Sequence, residues 1–236
     1  MADPLPFRRD DPTHQPPLHA PSYRSTQGRA PLLAPIRAPI TVTEASAPRF
    51  DPAHYPTRLD LSRLEGRPAL GERIIVAGRL TEEDGRPVAN AMIEIWQANA
   101  AGRYDHPGDQ HDAPLDPNFL GRGRLFTDGN GEYRFETIKP GAYPWGNHHN
   151  AWRPNHIHFG VHGAGSAQRL ITQMYFPGDP LLALDPIFNT IPNAVARERL
   201  VSRFELDLTV PEYALGYRFD IVLRGRDATP FEDGHA

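Results

Sequence analysis

The chain has 236 residues, an apolar content of 39% and a formal net charge of −4 at pH 7; this suits a soluble globular protein and allows a sizeable core. The acidic balance argues against a nucleic-acid binder, which would need a strongly basic face. There is no cysteine, so any metal must be held by nitrogen and oxygen atoms. No apolar run has signal-peptide or membrane-spanning length, so we expect a cytoplasmic protein without membrane contact.

Prolines are concentrated near the N terminus, where residues 1–60 contain 12 of the 26. Proline removes a backbone donor and restricts the residue before it, so helix is difficult to sustain there. The region also carries apolar side chains, namely Leu32, Leu33, Ile36 and Ile40. A disordered tail would have little use for them, so we favour an extended arm laid over a core or a partner. We predict this proline-rich arm over residues 1–68 and a folded domain over 69–236.

Strand patterns begin directly after the predicted arm. The run "ERIIVAGRL" (72–80) is typical of a buried strand. The next segment, "VANAMIEIWQAN" (88–99), alternates and places Ile93 and Ile95 on one face and Trp96 on the other. An Asp-Gly turn separates the two segments.

The pattern continues to the C terminus. "GRLFTDGNGEYRFETIKPG" (123–141) predicts a hairpin that turns at "DGNG". Three more strands are indicated by "HIHFGVH", "RLITQMYF" and "YRFDIVLRG". Helix is expected only over 193–203, with Asn193 as its N-cap. The sequence therefore predicts an all-β fold, an antiparallel β-sandwich with little helix. Long loops over 98–122 and 139–155 are the expected location of an active site.

The segment "AWRPNHIHFGVHG" (151–163) carries three histidines at even spacing. Side chains two apart on a strand point to the same face, so His156 and His158 can converge on one metal ion. His162 lies about 13 Å further along a regular strand and is left without an assigned role. An isolated pair of this kind is weak evidence for a metal site, since polar residues on a solvated face give the same pattern.

Further ligands must come from elsewhere in the chain. No acidic residue occurs between Glu136 and Asp179, so no carboxylate lies beside the histidine pair in sequence, although a distant one stays possible. Tyr104 and Tyr143 lie in the two long loops. Phenolate is a hard anionic donor that suits ferric iron, whereas simple packing is the ordinary role of a loop tyrosine.

Several segments together resemble the intradiol ring-cleaving dioxygenase family. They are "WQANAAGRY", "PLDPNFLGRGRLFTDGNGEYRFETIKPGAYPW", "WRPNHIHFGV", "LITQMYFPGDP" and "YRFDIVLRG". The resemblance runs from about residue 70 to 225, and it extends more weakly into the arm through "PSYRSTQGRAP". It implies that residues 69–236 form a catalytic domain.

The resemblance implies one non-haem Fe(III) per chain. The ligands that it assigns are Tyr104, Tyr143, His156 and His158. Tyr143 and His156 would be axial and the other two equatorial. When a catechol binds, Tyr143 would leave the iron and accept a proton, which makes it a base as well as a ligand.

The resemblance also assigns residues around the substrate. It implies catalytic roles for Arg153, beside the substrate ring where negative charge develops, and for Gln173. Positions that would contact the substrate are Tyr23, Trp96, Trp145 and Ile187. The chain departs from the family at Gly146, where related chains can carry an arginine, and at the pair His148-His149. Replacement of the missing positive charge is one interpretation of the histidine pair, and a solvated loop feature is the one we favour.

Within the family, the resemblance is strongest to iron-bearing chains that pair with a homologous iron-free α chain. It implies αβ units in a higher oligomer that cleave protocatechuate with O2 to 3-carboxy-cis,cis-muconate, a step of aromatic catabolism through the β-ketoadipate pathway. One alternative is a dioxygenase for catechol or hydroxyquinol, although the proline-rich start does not suggest the helical dimerisation domain of those relatives. A non-enzymatic β-sandwich binding module or a degenerate iron-free subunit is a second alternative, and the presence of all four ligands argues against it.

Overall fold

A computed structural model describes residues 11–34, 36, 50–147, 151–163 and 168–232. Within these ranges the strands are β1 (Arg63–Leu64), β2 (Arg67–Pro68), β3 (Arg73–Thr81), β4 (Met92–Trp96), β5 (Arg122–Phe126), β6 (Glu132–Ile138), β7 (Tyr143–Trp145), β8 (Ala151–Arg153), β9 (His156–His162), β10 (Arg169–Tyr175), β11 (Arg203–Phe204), β12 (Leu215–Arg218) and β13 (Ile221–Val222). The α-helices are α1 (Arg24–Arg29), α2 (Pro186–Asn189) and α3 (Ala194–Glu198). Single 3₁₀ turns cover Pro12–His14, Pro180–Ala183 and Leu206–Leu208. None of the described helices is long and apolar enough to span a membrane.

One sheet, which we call the front sheet, has the strand order β10-β9-β4-β5 and is antiparallel throughout. In its centre, β9 pairs with β4 on one side and with β10 on the other. The register places Trp96 of β4 and Gln173 of β10 directly opposite His158 of β9. Directly opposed residues point to the same face of a sheet, so this row presents its side chains together.

The second sheet, the back sheet, is built around β3. Strand β6 pairs with β3 in the antiparallel sense along its length. On the other side, β12 and then β13 pair with successive parts of β3 in the parallel sense, and β11 extends the sheet beyond β12. The predicted all-β sandwich is confirmed, and its strand pairs are antiparallel except for these two. Strand β3 is buried along most of its length, as its continuous apolar run predicted.

The turn at "DGNG" has a different role from the one predicted. The turn itself forms, since Gly131 N–H donates to Asp128 O and Asp128 N–H to Glu132 O. However, β5 pairs with β4 in the front sheet and β6 pairs with β3 in the back sheet, so the predicted hairpin pairing is wrong. A turn pattern specifies a local reversal, whereas the partner of each strand depends on which sheet buries its apolar face.

The core lies between the two sheets and is rich in aromatic rings. Phe159 of β9 has its ring centroid 6.0 Å from Tyr133, 6.1 Å from Phe135 and 5.2 Å from Phe219. These residues are buried in one cluster, as the alternation of Tyr133 and Phe135 with charged residues in β6 predicted. Because the odd-numbered residues of β9 enter this core, the even-numbered histidines face away from it.

Helix is short but more widespread than predicted. The predicted helix over 193–203 is present as α3, which ends at Glu198, and the Asn193 side chain accepts a hydrogen bond from Ala196 N, which confirms the N-cap. The expectation of helix only there is wrong, since α1 and α2 also form. Prolines flank the "RSTQGR" run of α1 without interrupting it, so it can complete a helical turn.

The described part of the predicted arm contacts the domain at several points. Asn193 N–H donates to Thr13 O, and Phe231 N–H donates to the Gln15 side chain. Leu61 lies in the main core. By contrast, the side chains of Leu32, Leu33 and Ile36 are exposed, while Ile40 lies outside the described residues.

Candidate metal centre

Strand β9 supplies two histidines to one side of the front sheet. His156 and His158 are 1% and 6% exposed, and their Nε2 atoms lie 3.2 Å apart. The intervening Ile157 is fully buried in the core, so the period of the strand separates the apolar residue from the two imidazoles. His162 lies at the end of the strand, where its Nε2 is 3.4 Å from Glu94 Oε2, away from this pair.

The two long loops bring tyrosines to the histidines. Tyr143 is in β7, which forms a two-stranded hairpin with β8 inside the second loop, and its Oη is 3.2 Å from His156 Nε2. Tyr104 is in the first loop, and its Oη is 3.2 Å from His158 Nε2. The Asp109 carboxylate holds this loop by accepting a hydrogen bond of 2.7 Å from Tyr104 N.

A close approach of the loop backbones makes this meeting possible. Gly102 has a φ of +77°, and a Cβ built on it would lie 2.1 Å from Ala142 O. A Cβ on Gly141 would lie 2.4 Å from Ala100 O. Because both positions lack a side chain, the loop of Tyr104 can lie directly against the strand of Tyr143.

The tautomers of the histidines leave both Nε2 atoms without a proton. His156 Nδ1 lies 2.7 Å from Pro154 O, which can only accept, and His158 Nδ1 lies 2.9 Å from a carboxylate oxygen of Glu232. Each Nδ1 therefore carries the hydrogen in the neutral ring, and two Nε2 lone pairs face one another across 3.2 Å. A cation between them would remove this repulsion.

The donor set fits a metal ion. Ligands bound at ~2.0–2.1 Å and at right angles lie about 3 Å apart, and neighbouring donors here are separated by 3.2 Å. No three His, Cys, Asp or Glu side chains among the described residues are grouped for a metal, so the phenols are needed to complete a site. Two imidazoles and two phenolates form a hard nitrogen and oxygen set that suits a trivalent cation.

Burial opposes ionisation of these groups in the absence of a cation. It raises the pKa of Tyr104 well above 10, and it raises the pKa of Tyr143, where the Arg153 charge partly offsets it. It also lowers the pKa of His156 well below 6.5, and the charge of Arg153 adds to this effect. A bound metal ion would favour the anionic phenols and the neutral imidazole, and so would oppose the effect of burial on these pKa values.

Arg153, from β8, is held beside the candidate metal centre by a buried network. Its Nε donates to Asp185 Oδ1 at 2.9 Å and its Nη2 to Asp185 Oδ2 at 3.3 Å, while Nη2 also contacts the Gln173 and Tyr175 side chains. Burial disfavours the charge, but the neighbouring acidic groups, Asp185 foremost among them, together outweigh this effect and raise the pKa of Arg153. Among the described residues Nη1 has no hydrogen-bond partner, so one end of the guanidinium is available to a bound molecule.

A cavity of about 1090 Å³ opens next to these groups. Eight of the ten side chains that the sequence singled out line it: Tyr23, Trp96, Tyr104, Tyr143, Trp145, Arg153, His158 and Ile187. The other two lie behind the wall, where His156 contacts His158 and Gln173 contacts Arg153. The structure thus brings all ten residues to one place.

Aromatic contacts shape the cavity wall. Trp96 stacks on His158 with centroids 4.9 Å apart and planes 6° from parallel. Tyr23 from the arm packs edge-on against Trp145 at 5.0 Å, and Ile187 of α2 joins this small cluster. Gly146 also lines the cavity and leaves open space where a side chain could stand. His148 and His149 lie outside the described residues.

Sequence reasoning missed three members of the site: Tyr175, Asp185 and Glu232. Asp185 precedes Pro186 and accepts hydrogen bonds from the first turn of α2, so its "DP" pair indicated a helix start, although nothing indicated the partner Arg153. Glu232 is 74 residues from His158 in sequence and has no local signal at all.

The fold and the site together indicate a class of protein, and comparison with known sequences identifies that class. The family described as "Dioxygenase" matches residues 46–225, and the chain belongs to it. A second family, described as "Protocatechuate 3,4-dioxygenase beta subunit N terminal", matches residues 7–41. The predicted resemblance is confirmed: the chain is an intradiol ring-cleaving dioxygenase.

Individual relatives differ in how much of their length this chain covers. The protocatechuate 3,4-dioxygenase β chain of Burkholderia cepacia is 59% identical over 95% of this chain and 96% of its own length. The α chain of the same name and organism is 32% identical over 69% of this chain and 78% of its own. The chain spans only about half of the catechol and hydroxyquinol 1,2-dioxygenases that it also matches (50% and 45%). The solved dioxygenase domain of a carbohydrate-binding fusion from Streptomyces sp. SirexAA-E shares the fold, with a TM-score of 0.53 and 27% identity over 76% of this chain and 94% of that one.

Proposed function

We propose that this chain is the iron-bearing β chain of a protocatechuate 3,4-dioxygenase, with one non-haem Fe(III) held by Tyr104, Tyr143, His156 and His158. The observation that carries the proposal is the convergence of four nitrogen and oxygen donors, spaced by 3.2 Å, beside an aromatic-walled cavity. The identity of 59% over nearly the full length of a protein with this name supports the substrate.

When bound, ferric iron supplies the Lewis-acid charge that favours a catecholate and its attack by O2. The chain's own residues prepare the substrate for it. Tyr143 Oη is placed to accept a proton from a catechol hydroxyl entering the cavity. Arg153 presents Nη1 as a fixed cation where negative charge develops on the ring, and Gln173 helps to hold that guanidinium in place.

The cavity walls suit a small aromatic ring. An apolar cluster on the arm side consists of Trp145, Tyr23 and Ile187, and the front sheet contributes Trp96, stacked on His158. The Tyr23 hydroxyl is the proposed hydrogen-bond donor to the substrate carboxylate. Because Gly146 contributes no cation, catechol or hydroxyquinol is the second candidate substrate.

We further propose that a homologous α chain completes the enzyme as αβ units in a higher oligomer. The match to an α chain that covers two thirds of this sequence supports a partner of the same fold. Leu32, Leu33 and Ile36 of the arm are exposed and would be covered by such a partner. The division into an arm over 1–68 and a catalytic domain over 69–236 is part of this proposal, and the cytoplasmic location stays a prediction.

The proposal is tested by measuring O2 uptake with protocatechuate, catechol and hydroxyquinol in parallel, with and without a co-expressed α chain. We expect one iron per chain, a red-brown ferric-tyrosinate absorption band and the fastest turnover with protocatechuate. Faster turnover of catechol or hydroxyquinol would transfer the assignment to the second candidate. A colourless, iron-free preparation would contradict the enzyme function.

The ligand assignment has a matched pair of variants on one strand. His158→Ala should lose iron and activity, whereas His162→Ala should keep both, because His162 contacts Glu94 outside the metal centre. Full iron content and activity in the His158→Ala variant would refute the assignment.

A further inference from the structure

Glu232, near the C terminus, reaches the metal centre from a segment that none of the site motifs includes. Its Oε2 lies 2.9 Å from Nδ1 of His158, on the opposite side of the ring from the donor atom Nε2. The two side chains are 9% and 7% exposed. An ion pair on the surface can form by chance, but a carboxylate enclosed at this distance from a ligand histidine must be held there by the fold.

Two backbone N–H groups, those of Phe231 and Glu232, hold this segment by hydrogen bonds. Glu232 N–H donates to Ile171 O of β10 at 2.6 Å, which adds the segment to the edge of the front sheet. The preceding Phe231 packs on the main core, and its N–H donates to the Gln15 side chain at 2.8 Å. The N-terminal and C-terminal segments therefore meet and together hold the carboxylate in position.

The two histidines of the centre differ in what their Nδ1–H groups meet. His156 donates to the neutral carbonyl of Pro154 at 2.7 Å, whereas His158 donates to a carboxylate. A charged acceptor makes the shared hydrogen bond stronger and increases the electron density at the opposite nitrogen. The Nε2 atom of His158 is therefore the stronger electron-pair donor to a metal, compared with Nε2 of His156.

Stacking alone does not define the orientation of the His158 ring. Trp96 lies parallel to it at 4.9 Å, which sets the plane of the imidazole. A half-turn of the ring about its Cβ–Cγ bond would keep it in that plane and preserve the stacking, but it would place carbon atoms where Nδ1 and Nε2 now lie. The hydrogen bond to Glu232 is the charge-assisted contact of the ring, and it favours the orientation that keeps Nε2 toward Tyr104.

We propose that Glu232 is a positioning residue of the metal centre, which orients the His158 ring and strengthens its Nε2 as a ligand. The proposal rests on the proposed function insofar as the metal is iron. The hydrogen bond and its effect on the ring can be tested without iron.

The test compares Glu232→Gln and Glu232→Ala with the wild-type holoenzyme, and Glu198→Gln, an exposed carboxylate of α3, serves as the control. We expect Glu232→Ala to release iron to a chelator about 10–100 times faster and to shift the ferric-tyrosinate absorption band. Glu232→Gln, which keeps the shape and a neutral acceptor, should lie between wild type and Glu232→Ala. The control should match wild type in both measurements.

A second measurement uses metal-free protein. Nitrogen-15 NMR of the His158 ring should show the Nδ1–H tautomer in wild type and a mixture of tautomers in Glu232→Ala. Iron release and a band position equal to wild type in the folded Glu232→Ala variant would overturn the proposal, and so would an unchanged tautomer. If wild type bound no iron, the proposed function would fail, whereas the metal-free tautomers would still decide the role of Glu232.

Discussion

At the scale of single residues, the buried ion pair of Arg153 and Asp185 connects stability with the site. Asp185 is fully buried, and besides its fork with Arg153 it caps α2, the helix that carries Ile187 into the cavity wall. One carboxylate thus places both the cationic group and part of the wall.

We expect Asp185→Asn to lower the free energy of unfolding by about 3–5 kcal/mol, because it leaves a buried guanidinium without its counter-charge. Asparagine still caps a helix well, so the loss reports the charge and not the cap. Urea denaturation measures the loss of unfolding free energy, with Asp220→Asn as the control. The ion pairs of Asp220 with Arg203 and Arg218 lie at the surface and should contribute about 0–1 kcal/mol. Equal losses in the two variants would show that burial of the pair has no special effect.

The Tyr143 hydroxyl is predicted to act as a base as well as a ligand. Tyr143→Phe should therefore slow substrate binding and the accompanying proton uptake more than it reduces iron content, since three donors remain. Stopped-flow binding and elemental analysis of the same sample separate the two effects. Complete loss of iron with otherwise normal binding kinetics would contradict the role as a base.

At the scale of secondary-structure elements, the site depends on two loops that touch through glycine. Gly102→Ala would place a methyl group against Ala142 O, next to the strand of Tyr143. We expect a loss of stability of about 1–3 kcal/mol from this overlap, in addition to the strain of a positive φ, together with lower iron content because Tyr104 and Tyr143 are pushed apart. Thermal unfolding and iron analysis measure the two effects.

Gly85→Ala is the matched control for that substitution. Gly85 also has a positive φ, of +83°, but no atom lies within 4 Å of a Cβ built there. It should lose stability through backbone strain alone, about 1–2 kcal/mol, and retain its iron. If the two variants had the same iron content, the close approach of the loops would not be needed for the centre.

At the scale of the whole molecule, the aromatic core determines how the front sheet meets the back sheet. Phe159 belongs to the same strand as the two histidines and contacts rings of both β6 and the segment before β13. Phe159→Ala should cost about 3–5 kcal/mol through lost burial and a cavity. The denaturant midpoint should fall without a change in the slope of the transition.

An exposed phenylalanine provides the comparison. Phe204 of β11 is 50% exposed and contacts only the ring of Tyr217 at 6.1 Å among aromatic side chains of the described residues, so Phe204→Ala should lower the free energy of unfolding by about 1 kcal/mol. A comparable loss in both variants would argue that Phe159 contributes by local strand propensity and not by packing between the sheets.

Local patterns were sufficient for much of the fold. Alternating residues identified the faces of β4, β6 and β9, because a strand has a period of two whatever its partners. The same period placed His156 and His158 together and separated them from His162. The pairing of β5 and β6 could not be predicted in this way, since the turn between them is compatible with one sheet or with two.

The sequence by itself determined the class of protein and all four proposed ligands, because the motifs around Tyr104, Tyr143 and the histidines are local and specific in combination. Only the tertiary structure decided which distant groups support them. Asp185 is 32 residues from Arg153, and Glu232 is 74 residues from His158. Contacts at such separations leave no periodic pattern in a single sequence. They form because burial of the apolar faces of two sheets brings distant loops and segments together around one cavity.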